Sequence, residues 1–221
     1  MRFYFLVIFL TVWGAFLCQV KINFKFNTKP LVRGEKYFIN SDSIWIQVDE
    51  LKFYVNYKPV FSDENRTDPL VIHLVDLSDS LSYFLPFTEE GMKNSKNFDF
   101  AIGLDSVSTS STKFSGALDP ALGMYWAWNT GYIHFKLEGK SNLCSSKNQE
   151  FLYHIGGYFG KYSTQRWLQS RIILINELAF IELELANFIK DGVNLGVNPV
   201  VMNPGKEAVF TADNYYRLFK Q

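Results

Sequence analysis

Cysteine is nearly missing from this sequence. Of 221 residues only Cys18 and Cys144 carry a thiol, so at most one disulfide can form and a disulfide framework is excluded. Histidine is as scarce, with His73, His134 and His154 the full set of three. Any imidazole-based site is therefore limited to a few combinations. A surplus of either charge is also lacking, because 22 basic and 22 acidic side chains give a formal net charge of +0. That balance removes the electrostatic case for nucleic acid or an anionic membrane surface as partner. Catalytic signatures are missing too: no G-x-S-x-G, H-E-x-x-H, C-x-x-C or phosphate-binding glycine loop occurs. The chain reads as a binding protein, not an enzyme.

The longest hydrophobic run is at the start, MRFYFLVIFLTVWGAFLC. Arg2 is its one charge, and the apolar run from residue 3 to residue 18 falls short of the ~20 residues a spanning helix needs. A signal peptide over 1–18 is predicted, with an exported mature domain from 19 to 221 in the periplasm or at the cell surface and no transmembrane segment in it. A lipid anchor at Cys18 ranks second, since Phe16-Leu17 is a poor lead-in to a lipidated cysteine. With cleavage near residue 18, Cys144 is the one thiol left. In the polar stretch KSNLCSSKNQ it reads as incidental, with a soft copper ligand as the alternative.

Aromatic residues are what the chain has in plenty, at 17% with 21 Phe and 12 Tyr, and they favour strands. VKINFKFN (20–27) alternates strictly, with Val20, Ile22, Phe24 and Phe26 on one face. Further strands are predicted over 43–60, 69–77, 97–106, 132–138, 150–155, 170–175 and 179–185. Loops rich in Gly, Pro, Asn, Asp and Ser separate them. The pattern predicts one all-β domain, an antiparallel immunoglobulin-like sandwich. The tail PGKEAVFTADNYYRLFKQ predicts a short C-terminal helix from about Lys206, after a flexible GVNLGVNPVVMNPG stretch.

Few residues stand out as chemical. His73, inside PLVIHLVDL, must satisfy both ring nitrogens or bind something. His154 sits at a strand end beside Gly156-Gly157. His134 shares the polar face of Tyr132, Lys136 and Glu138, and is expected in solvent. Met124, Trp126 and Trp128 fall on one face if their segment is extended. Such a stripe serves core packing, a sugar-stacking platform or a soft copper pocket, and spacing does not choose among them.

One block is more specific. Gly103, Asp105 and Ser106, then Ser115-Gly116-Ala117-Leu118-Asp119-Pro120, Gly123-Met124, Trp126, Trp128 and Gly131-Tyr132 resemble the MbnP-like family, in its Bacteroidetes branch. The resemblance extends through Phe135–Gly139, Tyr153–Gly157, LKFYVNY (51–57) and the MNPGKEAVFTADNYYRLF tail. It implies an exported β-sandwich that binds Cu(I) through histidines, next to a tryptophan oxidised to kynurenine by a di-haem, peroxidase-like partner. Carried over, His154 matches the family's histidine before Ile/Leu-Gly, and Trp126 and Trp128 match its paired tryptophans. Asn56 stands where the methanotroph branch tends to carry a histidine, and that branch's cysteines are missing. The metal set expected is then His154, His73 and Met124, walled by Trp126 and Trp128. The alternative is a non-metal ligand-binding or cell-surface module using the Trp126/Trp128 face.

Overall fold

Strict alternation makes the first strand two-faced: Val20, Ile22, Phe24 and Phe26 are buried, while Lys21, Asn23 and Lys25 are half-buried. The same rule builds most of the chain, whose computed structural model describes residues 18–39, 43–58, 70–87, 96–110, 114–128, 131–175 and 178–219. The expected signal peptide lies outside these apart from Cys18. The chain begins with β1 (Cys18–Phe26), β2 (Lys29–Pro30), β3 (Lys36–Ile39), β4 (Ile44–Tyr57) and β5 (Val71–Asp76). Next come β6 (Phe84–Phe87), β7 (Asn97–Ile102), the short helix α1 (Ser106–Ser110), β8 (Tyr125–Trp126) and β9 (Gly131–Ser141). The remaining strands are β10 (Glu150–Gly156), β11 (Arg166–Arg171), β12 (Ile173–Ile175), β13 (Leu178–Glu184) and β14 (Val200–Val201). Helix α2 (Leu185–Asp191) follows β13, and α3 (Lys206–Asp213) follows β14.

Two sheets result. One runs β12-β13-β1-β2, with β6 also on β1; the other runs β11-β7-β4-β9-β10-β14, with β3 and β5 on β4 and β8 on β9. Side chains from both fill one apolar core, in which Phe53 and Phe135 lie 6.0 Å apart and Phe135 meets Tyr215 at 5.0 Å. The all-β sandwich and the C-terminal helix at Lys206 are as the sequence predicts. Two pairings depart from a purely antiparallel scheme: β1 runs parallel to β13, and β10 to β14. The stretch expected to be flexible instead packs, with Val193, Leu195 and Val201 in the core.

Strand β4 sorts core from polar face at the centre of the larger sheet. Leu51, Phe53, Val55 and Tyr57 point into the central core, so Glu50, Lys52, Tyr54 and Asn56 occupy the other face. Its neighbour changes partway: β9 pairs as far as Phe53↔Phe135, and β7 takes over from Val55↔Ile102. The β9/β10 ladder also shifts register, Ile155 facing Phe135 and Gly156 facing Ile133. His134 is the extra residue of that bulge. Beside this fork lies a roof in which Leu104, Met124 and Trp126 form a second apolar cluster with Tyr54, Tyr132 and Ile133.

Candidate metal centre

The outer face of the larger sheet carries a ladder of charges. His154 faces Lys136, Lys136 faces Lys52, and Lys52 faces Asp76 across successive strands. Like charges so placed would repel, and carboxylates set between them reverse the sign. Lys136 reaches Glu50 at 2.9 Å and Glu138 at 3.2 Å, and Lys52 reaches Glu50 and Asp76 at 3.2 Å each. Burial raises the Glu50 carboxyl, but Lys136 and Lys52 outweigh it and hold it below the usual range. Asp76 behaves alike, with Ser78 and Lys52 overcoming its burial. His154 ends the ladder, its Nε2 2.6 Å from Glu138 Oε1.

His73 lies elsewhere. It faces Val55, a core residue, and so occupies the opposite side of the sheet from His154. Its Nε2–H donates to the Ser82 carbonyl at 2.7 Å. The structure does not bring His73 and His154 together. Met124 is fully buried, but in the roof cluster. Trp126 and Trp128 do not share one face: only Tyr125–Trp126 is strand, and the chain then turns. Trp126 is 4% exposed and Trp128 64%, with ring centroids 5.8 Å apart. The aromatic stripe is thus half core and half surface. Cys144 is no exposed loop thiol; it is buried, and burial pushes it up to about 11.

The largest correction concerns His134. Expected in solvent, it is 0% exposed, because Gly103 and Thr164 come against a ring that strand alternation alone would leave wet. Its Nδ1 lies 2.9 Å from Thr164 Oγ1, and that hydroxyl is also 3.2 Å from the Gly157 carbonyl. The Gly157 carbonyl also accepts the Thr164 N–H at 2.9 Å. With the hydroxyl proton on Gly157, Nδ1–H donates to Thr164 and Nε2 keeps its lone pair, whereas a hydroxyl that donates to Nδ1 puts the ring proton on Nε2. That Nε2 is buried and has no hydrogen-bond partner. The Tyr54 hydroxyl, both polar atoms of the Asn56 amide and Trp126 Nε1 are likewise buried without partners. Ser170 Oγ and the Tyr215 hydroxyl are buried without partners as well, and each such orphan costs about 1–3 kcal/mol until a partner is supplied. Among the described residues, no group of three or more His, Cys, Asp and Glu side chains is placed to hold a metal.

Gly103 makes room for this imidazole. Its φ is +99°, and a Cβ there would sit 2.8 Å from His134 Nδ1. Its N–H donates to the Tyr54 carbonyl at 3.0 Å, which ties the fork to β4. Thr164 escapes sequence reasoning, and the burial of His134 with it, because the two meet across 30 residues of chain. No local signal marks them.

Burial also sets how His134 titrates. It pushes the imidazole down to about 3, against a small opposing pull from Asp105. An unfolded histidine takes its proton near pH 6.5, so between these values the unfolded chain binds a proton that the folded chain refuses. The neutral ring's contribution is therefore intact above about 6.5 and is lost as the pH falls toward 3, by up to ~1.4 kcal/mol per pH unit. Glu50 and Asp76 add their own loss at lower pH, in any variant. Denaturant midpoints from about pH 7 to about pH 4 should fall more steeply for the native chain than for His134→Gln.

Fold and site together define a two-sheet β-sandwich with a buried, neutral imidazole on the outer face of its larger sheet. The chain belongs to the MbnP family, whose model matches residues 17–203. MbnP from Methylosinus trichosporium is a similar solved structure, at 13% identity and a TM-score of 0.56, covering 87% of this chain and 86% of that one. That likeness is one of fold. No curated protein matches the chain. Among the described residues, no helix is long and apolar enough to cross a membrane.

Proposed function

We propose that this chain is an exported, non-enzymatic Cu(I)-binding protein whose metal sits on His134 Nε2. The observation that carries the reading is a buried Nε2 with no partner, on a ring whose Nδ1 meets the Thr164 hydroxyl, itself within reach of the Gly157 carbonyl; in this reading Nδ1 holds the proton and Nε2 offers its lone pair. Metal-bound histidines are held in this way by an outer partner. A ring that stays neutral does not have to lose a proton before it binds. Met124 supplies a soft thioether in the adjoining cluster, its carbonyl accepting from the Ile133 N–H at 2.8 Å, one residue from His134. Cu(I) is soft and accepts few ligands, so an imidazole and a thioether suit it better than they suit a hard divalent ion. When bound, it would supply a one-electron redox centre shielded from water.

His154 and His73 take lesser parts in this reading, since each is engaged by Glu138 or Ser82. Family membership supports a copper-related, periplasmic role. A di-haem, peroxidase-like partner that oxidises Trp126 or Trp128 belongs to the same proposal. Thr164→Val tests the relay: it removes the hydroxyl while keeping the shape, and should weaken Cu(I) binding by about 10–100-fold in an anaerobic chelator competition. An unchanged affinity would remove the observation on which the reading stands.

A further inference from the structure

Trp126 also lines a separate pocket, of about 270 Å³. Rings make most of it: Tyr132, Tyr158, Phe159 and Tyr162 join Trp126, with Pro204 closing one side. Gly157 lets the wall turn in tightly, since its φ is +134° and a Cβ there would fall 2.4 Å from the Tyr162 carbonyl oxygen. Phe159 is 82% exposed, so a large ring is held out in water at the pocket mouth.

These features select a ligand class. The volume lies just below the usual range of about 300–1,000 Å³ for drug-sized ligands, so one ring with its substituents fits. No charged side chain is among the described residues that line the pocket, so carboxylates, phosphates and ammonium groups find no counter-charge. Aromatic cages do attract quaternary ammonium ions. Here, however, Lys161 Nζ already stands 5.2 Å over the Tyr162 ring, so a second cation would meet like charge. The guest is then neutral and presents an apolar face for stacking. Tyr158 and Tyr162 add hydroxyls, which suit a ligand carrying both donors and acceptors.

We propose that this pocket binds a neutral six-membered sugar ring, whose C–H face stacks on the aromatic wall and whose oxygens pair with its polar groups. The proposal rests on the Trp126–Tyr162 pocket and not on the copper reading.

The test is isothermal titration of the chain with methyl glycosides of glucose, galactose, mannose and N-acetylglucosamine, and with their tetrasaccharides. Choline and indole serve as comparators. At least one sugar should bind saturably and shift the tryptophan emission. Phe159→Ala and Tyr158→Ala should each weaken it about tenfold, whereas Trp167→Ala, which removes a 57% exposed ring elsewhere, should not. Tetrasaccharides binding tighter than single rings would identify the source as a glycan chain, and equal affinity would identify it as a free sugar. The proposal fails if no sugar binds, if choline or indole binds tighter than every sugar, or if the Phe159 and Tyr158 variants bind as the native chain does.

Discussion

On the proposed site, His134→Gln should abolish Cu(I) binding, whereas His73→Gln should leave it unchanged and His154→Gln should change it little. The expected loss at His134 exceeds a hundredfold, since removing merely the outer partner of a metal-bound histidine costs about 10–100-fold. The contrast follows from placement. His73 is on the core side of the larger sheet with its Nε2–H given to Ser82, and His154 Nε2 is held by Glu138 in the charge ladder. His134 alone among the three offers a bare, buried nitrogen. Glutamine suits the test because its amide can still meet Thr164, which keeps the relay's end occupied while the ligating nitrogen is lost. Competition titrations on the three variants, each matched to the native chain by thermal midpoint, separate loss of ligand from loss of fold.

Gly139→Ala is expected to produce the largest fall in stability from a single methyl group. Gly139 lies in β9 between Val48 of β4 and Phe151 of β10. A Cβ there would fall 2.0 Å from the Gln47 carbonyl oxygen and 2.6 Å from Phe151 Cζ. The first obstacle is backbone and cannot swing aside as a side-chain tip can. Overpacking of this kind costs about 1–3 kcal/mol and occasionally more. The upper end applies here, lowering the thermal midpoint by roughly 6–12 °C in a domain of this size. The β4-β9-β10 register is also what stations His134 at the fork, so copper affinity should fall with stability. Differential scanning calorimetry decides the first point, and a midpoint within a degree or two of the native one would mean that these strands move apart freely.

The fold is largely legible in the sequence because it obeys local rules. Alternation in VKINFKFN marks the buried face of β1, and the Pro-Gly start of the tail marks the first residue of α3. The parallel β1/β13 pair is not legible, since residues 20 and 179 meet only through tertiary packing. The site divides on the same line. Met124 and Trp126 are buried in one apolar cluster, the core packing that is one reading of their stripe, but the polar Lys136 and Glu138 on its strand make His134 look like a residue in water. Alternation tells which face a residue is on. Whether that face is covered depends here on Gly103 and Thr164, which no window around residue 134 contains.

The most direct measurement tracks the ¹⁵N shifts of the three imidazoles during anaerobic Cu(I) addition to labelled protein at neutral pH. Before copper, His134 should show the Nδ1–H tautomer with a bare Nε2. On addition, His134 Nε2 should shift and saturate at one equivalent, with His73 unmoved. An Nε2–H tautomer in the apo protein, or a copper-dependent shift at His154 with none at His134, would contradict the account.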